Sequence, residues 1–450
     1  MVFFLNICYN SKMTEYDDDF ILRMKQILKD DFAKFFSSLQ SDAVKGLYVN
    51  ESKISVEDFK NLVDFPISPI GYEKAGFYID TDKKGRHPLH HAGAFYLQEP
   101  SAMFTVNSRK FRGDEYVLDL CAAPGGKTIQ IANRIPGGLV VSNEIDFSRS
   151  KILFSNVERM GLKNVIVTND TTEKVAKAYA NCFDVCLVDA PCSGEGMLRK
   201  GHEVIENVKN NSIEKCATRQ LEILEDANIA LKNGGYLIYS TCTYNLEENE
   251  NVVRKFLSKH NYELVPIDCP QNFARGIDMH KAVRLYPHIV RGEGQFVALL
   301  KKHEENFCEA NKSLKLKQDK KSNEILKKFI DFDKNTYEYN KKSYIVKDLS
   351  MIKTDVRYVS IGVEAGVLKG DRFEPAHNLF TSFGKDCLQK IDLDYRDKKV
   401  LSYLKGEELE CTLPDGYGCV LVNGISLGGF KISAGKFKNH YPKGLRNYKY

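Results

Sequence analysis

Continuous apolar runs without polar alternation recur through the central part of the chain. They predict strands at 116–120, 139–144, 164–169, 184–189, 235–240 and 295–300. Such runs are typical of strands whose two faces are both buried, as in a parallel sheet covered by helices. Amphipathic stretches between them predict helices at roughly 127–134, 148–160, 218–231 and 248–259. This alternation predicts an α/β fold, a doubly wound and mostly parallel sheet over residues 101–303.

Other patterns flank this central region. The N-terminal part begins with a helical pattern from Phe20 to Leu39, and a segment rich in Tyr, Gly and Pro follows. Lys- and Asn-rich sequence at 301–323 indicates a linker, and 324–388 has the mixed pattern of a small α+β unit. The predicted strand Cys419–Val422 ends at an Asn-Gly pair, which is typical of a hairpin turn. The sequence therefore predicts domains at 1–100, 101–303, 304–388 and 389–450.

Composition excludes some classes of protein. The chain has 450 residues, of which 43% are hydrophobic, so it can fill several cores and is not a disordered protein. The opening MVFFLNICYN lacks a basic start and a small-residue cleavage site, so we predict no signal peptide and note Met13 as an alternative start. No stretch reaches transmembrane length, so we expect no membrane contact.

The twelve cysteines are scattered, and none forms a CxxC pair. Cys182 and Cys186 have CxxxC spacing, but Cys186 falls inside a predicted strand, so we expect no metal site. Scattered unpaired thiols are typical of a reducing compartment, which predicts a cytoplasmic location.

Positive charge is concentrated in the last third of the chain. The net charge is only +5, yet residues 301–450 hold 29 Lys and Arg against 21 Asp and Glu. The last twenty residues contain no acid and carry Lys431, Lys436, Lys438, Lys443, Arg446 and Lys449. A basic tail of this kind favours contact with nucleic-acid phosphates, although it also suits a merely solvated surface.

The carboxyl ends of the predicted strands carry the features of a nucleoside pocket. The first strand leads into the small-residue turn Cys121, Ala122, Ala123, Pro124, Gly125, Gly126 and Lys127. Small residues let the backbone approach a ligand, and the following helix offers free N–H groups. Glu144, Asp170 and Asp189 follow the next three strands at the same edge. Because the turn fits neither a dinucleotide nor an ATP motif, S-adenosylmethionine matches these acids best.

Two cysteines follow neighbouring strands, Cys192 in DAPC and Cys242 in STCT. Their positions predict two thiols on opposite sides of one pocket, with Asp189 beside them. Cytosine carbon 5 accepts a methyl group only after a thiolate has added at carbon 6, and an acid must stabilise the charge at N3. The pattern therefore favours cytosine methylation, but it does not say which thiol attacks. Two buried structural cysteines are the alternative.

Four motifs resemble the RsmB/RsmF (Nop/Sun) family of RNA cytosine-5 methyltransferases: DLCAAPGGKT, NVERMGLKNVIVTND, LVDAPCSGEGM and YSTCTYNLEENE. The resemblance implies a Rossmann-like core that uses S-adenosylmethionine. It implies that Cys242 attacks, that Cys192 helps release the product, and that Asp189 contacts the cytosine and the cofactor. Residues Cys121 to Lys127, Glu144 and Asp170 match cofactor-binding positions.

The likeness extends beyond the core to the type that modifies 16S ribosomal RNA. The segments that carry it are HPLHHAGAFYLQEPSAM, RLYPHIVRGEGQFVALL and KNHYPKGLR. It implies an N-terminal RNA-recognition domain and a C-terminal PUA-like RNA-binding domain. We expect a monomeric enzyme that acts on small-subunit ribosomal RNA. The alternatives are a transfer-RNA cytosine-5 methyltransferase and a non-catalytic ribosome assembly factor.

Overall fold

A computed structural model describes residues 16–80, 82–201, 205–206, 208, 212–304, 308–331 and 333–446. Met13 and Lys449, which the sequence analysis singled out, lie outside the described residues. Four β-sheets and their helices make up the described part. No helix in these ranges is long and apolar enough to cross a bilayer.

An antiparallel sheet of order β2-β3-β1-β4 forms the N-terminal domain. Its elements are α1 (Asp18–Leu28), α2 (Phe32–Ser38), β1 (Lys45–Val49), α3 (Val56–Leu62), β2 (Ser68–Ile70), β3 (Glu73–Ile79), α4 (Pro88–His91), β4 (Phe95–Leu97) and α5 (Pro100–Asn107). The single helix predicted from Phe20 to Leu39 is two helices, because Lys29 adopts a φ of 46° and a 3₁₀ turn, Lys29–Asp31, follows. Both helices bury aromatic residues against the central domain.

The central domain is built on one large sheet. Its elements are β5 (Tyr116–Asp119), α6 (Gly126–Arg134), β6 (Leu139–Asn143), α7 (Phe147–Met160), β7 (Val165–Thr168), α8 (Thr172–Ala178), β8 (Phe183–Asp189), α9 (Ile213–Ala230), β9 (Leu231–Thr241), α10 (Glu250–Leu257), β10 (Tyr262–Val265), β11 (Ala274–Gly276), β12 (Met279–Leu285) and β13 (Gln295–Lys302). The strand order is β11-β12-β13-β9-β8-β5-β6-β7, and β10 pairs with β13.

The strands from β9 to β7 are parallel, whereas β13 runs antiparallel to β9. Chain order reverses between β5 and β8, which is where an open α/β sheet forms its ligand crevice. The predicted α/β, Rossmann-like class is confirmed. Strands β10, β11 and β12 were not predicted. Strands β10 and β11 are short and half exposed, and exposed His280 and Lys281 interrupt the apolar pattern of β12.

Two smaller sheets follow, together with one strand that joins the central sheet. Their elements are β14 (Lys317–Gln318), α11 (Lys320–Leu326), β15 (Thr336–Tyr339), β16 (Lys342–Ile345), β17 (Tyr358–Ser360), β18 (Val363–Lys369), β19 (Arg372–Pro375), α12 (His377–Phe383), β20 (Lys390–Leu393), α13 (Lys398–Lys405), β21 (Gly416–Val422), β22 (Ile425–Ser433) and β23 (Lys436–Asn439). The sheet orders are β14-β15-β16-β18-β19 and β20-β21-β22-β23. The hairpin prediction is confirmed, because Asn423 (φ 47°) and Gly424 (φ 74°) form the two-residue turn between β21 and β22.

The C-terminal half is tied to the central sheet. Strand β17 pairs antiparallel with β7 and becomes its edge strand. The stretch predicted as a linker contains the end of β13, strand β14 and the start of α11. Within it, the Leu314 N–H donates to the Ile352 carbonyl at 2.6 Å. The many lysines of this stretch hid the short apolar pattern of Leu314 and Leu316, which pack on the central core.

Candidate active site

The two predicted thiols meet at the carboxyl edge of the central sheet. Strands β8 and β9 are parallel neighbours, with Asp189 opposite Ser240 in register. Each cysteine lies two or three residues beyond this pair, and Cys192 Sγ is 3.3 Å from Cys242 Sγ. The thiols are therefore in contact instead of facing each other across a pocket. Both line one cavity of about 790 Å³.

The hydrogen bond between the two sulfurs shifts their pKa values in opposite directions. A hydrogen bond from Cys192 lowers the pKa of Cys242, and the charges of Lys127 and Lys200 add to this effect against burial and Asp189. The same hydrogen bond, together with burial, raises the pKa of Cys192 well above its ordinary value. Cys242 is therefore the sulfur that loses its proton more readily, and Cys192 is the one that holds its proton more tightly.

Asp189 ends β8 beside the thiols. Lys127 Nζ donates to one of its carboxylate oxygens at 2.6 Å, and Ser240 Oγ donates to the other at 2.7 Å. Lys127 lies in the first turn of α6. Gly125, which directly precedes this helix, adopts a φ of 115°. This conformation favours glycine, and it turns the backbone from the end of β5 into the helix.

The residues predicted to bind the cofactor surround two adjoining cavities. The larger, of about 790 Å³, is lined among others by Cys121, Ala123, Glu144 and Asp189. A smaller one of about 240 Å³ is lined by the turn residues Cys121, Ala122, Ala123, Pro124, Gly126 and Lys127, and by Asp189. Gly125 and Asp170 line neither of these two cavities.

Asp170 is occupied by the C-terminal half of the chain. Its carboxylate accepts a hydrogen bond from the Arg357 N–H at 2.9 Å and pairs with Lys174 at 3.1 Å. Arg357 immediately precedes strand β17, which sequence patterns did not reveal. Glu144, in contrast, lies on the cavity wall, where its carboxylate accepts from the Asp146 N–H at 2.9 Å.

Asp119, at the end of β5, was not singled out from the sequence. Its Oδ2 accepts from Thr128 Oγ1 at 2.7 Å, and its buried Oδ1 has no partner among the described residues. Burial raises the pKa of Asp119 to about 7. Because the smaller cavity reaches this carboxyl group, Asp119 can accept a hydrogen bond from a bound cationic group.

Two buried glutamates tie the thiol-bearing loops to each other. Glu195 follows Cys192, and its Oε2 accepts from the backbone N–H groups of Tyr244 and Asn245, at 3.0 and 2.9 Å, beyond Cys242. Glu248 follows Cys242, and it accepts from the Ser193 N–H at 2.9 Å. Each loop thus holds the backbone of the other. We call Glu195 and Glu248 the carboxylate clasp.

The clasp reaches the N-terminal domain. Arg23 Nη2, on α1, donates to Glu195 Oε1 at 2.6 Å, while Glu195 is 1% exposed. Sequence patterns missed both the clasp and Arg23, because contacts between loops distant in sequence leave no periodicity. The sequence signal for the clasp is that acids follow each cysteine within a few residues, one in GEG and three in LEENE.

Comparisons with known proteins agree with this geometry. A family model described as 16S rRNA methyltransferase RsmB/F matches residues 108–301. Models described as the N-terminal domain of 16S rRNA methyltransferase RsmF and as the methyltransferase RsmF PUA domain match residues 17–100 and 390–447. These three models cover the N-terminal, central and C-terminal parts of the chain.

Several relatives carry the same name. Ribosomal RNA small subunit methyltransferase F of Erwinia tasmaniensis is 38% identical over 299 residues, 63% of this chain and 63% of the relative. The protein of that name from Escherichia coli is 36% identical over 305 residues, 64% of this chain and 63% of the relative. The matched part thus spans less than two thirds of these relatives' length.

Solved structures share the fold. A methyltransferase homolog protein from Pyrococcus horikoshii is 28% identical with a TM-score of 0.56, covering 64% of this chain and 95% of that one. NSun6 from Pyrococcus horikoshii has a TM-score of 0.57 at 21% identity, covers 64% of this chain and 99% of that one, and shows likeness of fold. With three family models matched in chain order, this chain belongs to the 16S rRNA methyltransferase RsmB/F family.

Proposed function

We propose that this protein methylates carbon 5 of a cytosine in 16S ribosomal RNA, through a transient bond between Cys242 and the base. The observation that carries the proposal is the 3.3 Å contact between the two thiols, which lowers the pKa of Cys242. A thiolate at the edge of an open α/β sheet, beside a ligand cavity, is equipped for covalent catalysis.

The cavities fit S-adenosylmethionine as the methyl donor. Glu144 is placed for the ribose hydroxyls, the apolar wall at Leu120 and Ile145 suits adenine, and Asp119 and Asp189 suit the cationic methionine end. When bound, the cofactor supplies a methyl carbon that bonds to cytosine carbon 5 as its bond to sulfur breaks, leaving a neutral thioether.

The chain's own groups perform the remaining steps. Cys242 Sγ forms a bond to carbon 6, and the ring electrons shift towards N3, where a proton from the ion pair of Asp189 with the Lys127 ammonium neutralises the added charge. After transfer, carbon 5 loses its proton to solvent water, the electron pair restores the carbon 5–carbon 6 double bond, and the Cys242 thiolate is expelled. The Cys192 thiol, which keeps its proton beside that sulfur, assists this release.

The proposal that ribosomal RNA is the partner is supported by the names of the relatives and by the charge of the C-terminal domain. The curated relatives are named for ribosomal RNA of the small subunit. Two lysines of the basic tail, Lys431 on β22 and Lys438 on β23, stand opposite each other in the strand register, so their charges lie side by side. Such charges suit contact with phosphates. We further propose a monomeric, cytoplasmic enzyme, which accords with the free state of every cysteine that the structure describes.

The test is methyl transfer to defined RNAs. Purified protein is incubated with labelled S-adenosylmethionine and either 16S ribosomal RNA or bulk transfer RNA, and bisulfite sequencing locates 5-methylcytosine. We expect label in 16S RNA. Label in transfer RNA alone would support the transfer-RNA alternative. RNA binding without any methylation would support the assembly-factor alternative.

A further inference from the structure

A second cavity, of about 620 Å³, lies on the other side of the central domain. Its wall includes Ser52, Asn133, Leu162, Thr381 and Ser426. Together the lining residues come from the regions around all four sheets. The joint is tight, since a Cβ added at Gly161 would meet the Thr381 carbonyl at 2.4 Å. The cavity is therefore formed by the packing of the regions and not by one domain alone.

Lysines dominate the charge of this cavity. Five line it, against the two carboxylates of Glu51 and Asp386: Lys53, Lys163, Lys334, Lys347 and Lys385. None of the five forms an ion pair with a carboxylate in the described parts of the chain, whereas many other lysines do. Four of them are exposed.

The fifth lysine, Lys53, is half-buried. Lys53 Nζ donates to the carbonyls of Ala92, Arg159 and Ser426, at 2.7, 3.1 and 3.3 Å, so it joins three regions. Burial, helped by the charge of Arg159 and of neighbouring lysines, lowers the pKa of Lys53 to about 7. A bound anion would favour its charged form.

The cavity is separate from the candidate active site. Its central-domain wall comes from residues 132–136, at and just beyond the C-terminal end of α6, and from residues 161–164, just before β7. These lie at the amino edge of the parallel strands, whereas Cys192 and Cys242 lie at the carboxyl edge. A ligand held here cannot be the reacting base.

We propose that this lysine cavity binds backbone phosphates of the RNA substrate, at a distance from the methylated cytosine. The inference rests on the proposed function and extends it to a second RNA contact. Ammonium groups that converge from several elements without a carboxylate partner are the chemistry that recognises phosphodiesters without reading sequence. Their present contacts are neutral: Lys347 and Lys385 donate to backbone carbonyls, and Lys163 lies over the Phe383 ring. A contact of this kind orients a folded RNA, because the opposite edges of the sheet would be engaged together.

Lysines also stabilise helix C-termini, and Lys163 and Lys385 follow α7 and α12. That role alone predicts a loss of stability when they are removed, with RNA affinity unchanged. The test therefore compares the double variant Lys334→Gln/Lys385→Gln with the control Lys321→Gln/Lys369→Gln. The control removes the same charge from the same region, but at lysines paired with Asp371 and Glu374.

Both proteins are titrated with a labelled 16S RNA fragment at several salt concentrations, and thermal melting is recorded with and without inorganic phosphate. We expect the cavity variant to bind about tenfold more weakly near physiological salt, with the slope of log Kd against log salt reduced by about 1.5. The control should stay within about twofold. Methylation by the cavity variant should show a raised KM and an unchanged kcat.

Equal effects in both variants, or lower melting with unchanged RNA affinity, would overturn the proposal. Stabilisation by inorganic phosphate that the cavity variant loses, without any change in RNA affinity, would assign the cavity to free phosphate and would also overturn it. Failure of the wild-type protein to methylate would count against the proposed function instead, because the binding titration is independent of turnover.

Discussion

The Arg23 guanidinium lies 2.6 Å from the Glu195 carboxylate, so a helix of the N-terminal domain contacts the loop that carries Cys192. Glu195 in turn accepts from the Tyr244 and Asn245 backbone beyond Cys242. The N-terminal domain therefore supports the position of the reactive thiol, in addition to any contact that it makes with RNA.

Arg23→Ala should lower kcat about 10-fold or more and leave the Kd for S-adenosylmethionine unchanged. The physical reason is that Glu195 loses its charged partner while buried, and the loop after Cys242 moves relative to the base. Single-turnover methylation and cofactor titration measure the two quantities. Arg23→Lys should restore part of the rate, and Lys25→Ala on the exposed side of α1 is the control. Equal losses in both alanine variants would argue against the clasp.

The alkylation rate of Cys242 should rise with pH at values below those of an ordinary cysteine. The Cys192 hydrogen bond lowers the Cys242 pKa, so Cys192→Ala should move the alkylation profile to higher pH. Iodoacetamide labelling followed by peptide mass spectrometry gives the rate for each cysteine, with exposed Cys308 as the internal reference. A profile that the variant leaves in place would show that the sulfur contact does not tune Cys242.

Asp119 should make the folded state less stable as pH rises from about 4 to about 7. Its folded pKa is about 7, above the usual unfolded value, so the folded state binds the proton more tightly in this range. The stabilising contribution of Asp119 is present in full at low pH and is lost as the pH rises through about 7. Asp119→Asn should flatten this dependence in urea unfolding at pH 5 and pH 8. An unaltered pH dependence in the variant would contradict the raised pKa.

Hydrogen peroxide should join Cys192 and Cys242 in a disulfide and abolish methylation. The sulfurs are 3.3 Å apart, and Cys242, whose pKa is lowered, is the one that forms a thiolate more readily. Two thiols lose two protons and two electrons, and peroxide is reduced to two waters. Non-reducing peptide mapping should show the cross-link, and dithiothreitol should restore activity. Irreversible loss of activity without this cross-link would mean that another group is the sensitive one.

The sequence predicted the central fold well because buried parallel strands leave continuous apolar runs, as at β6 and β8. The sequence also predicted that Cys192, Cys242 and Asp189 lie at one edge of the sheet, since a residue that directly follows a parallel strand lies at the carboxyl edge. The sequence did not reveal contacts between segments that lie far apart in the chain. Strand β17, which covers Asp170, is three residues long and pairs with a strand nearly 200 positions earlier, so no local pattern marks it.

The most direct test of the account is capture of the bond between Cys242 and the base. Cys192→Ala protein is incubated with 16S RNA and S-adenosylmethionine, resolved under denaturing conditions, and digested for mass spectrometry. We predict a protein–RNA adduct whose nucleotide is carried by the peptide containing Cys242. The adduct should be absent from Cys192→Ala/Cys242→Ala. An adduct on any other residue, or none although RNA and cofactor both bind, would contradict the covalent mechanism.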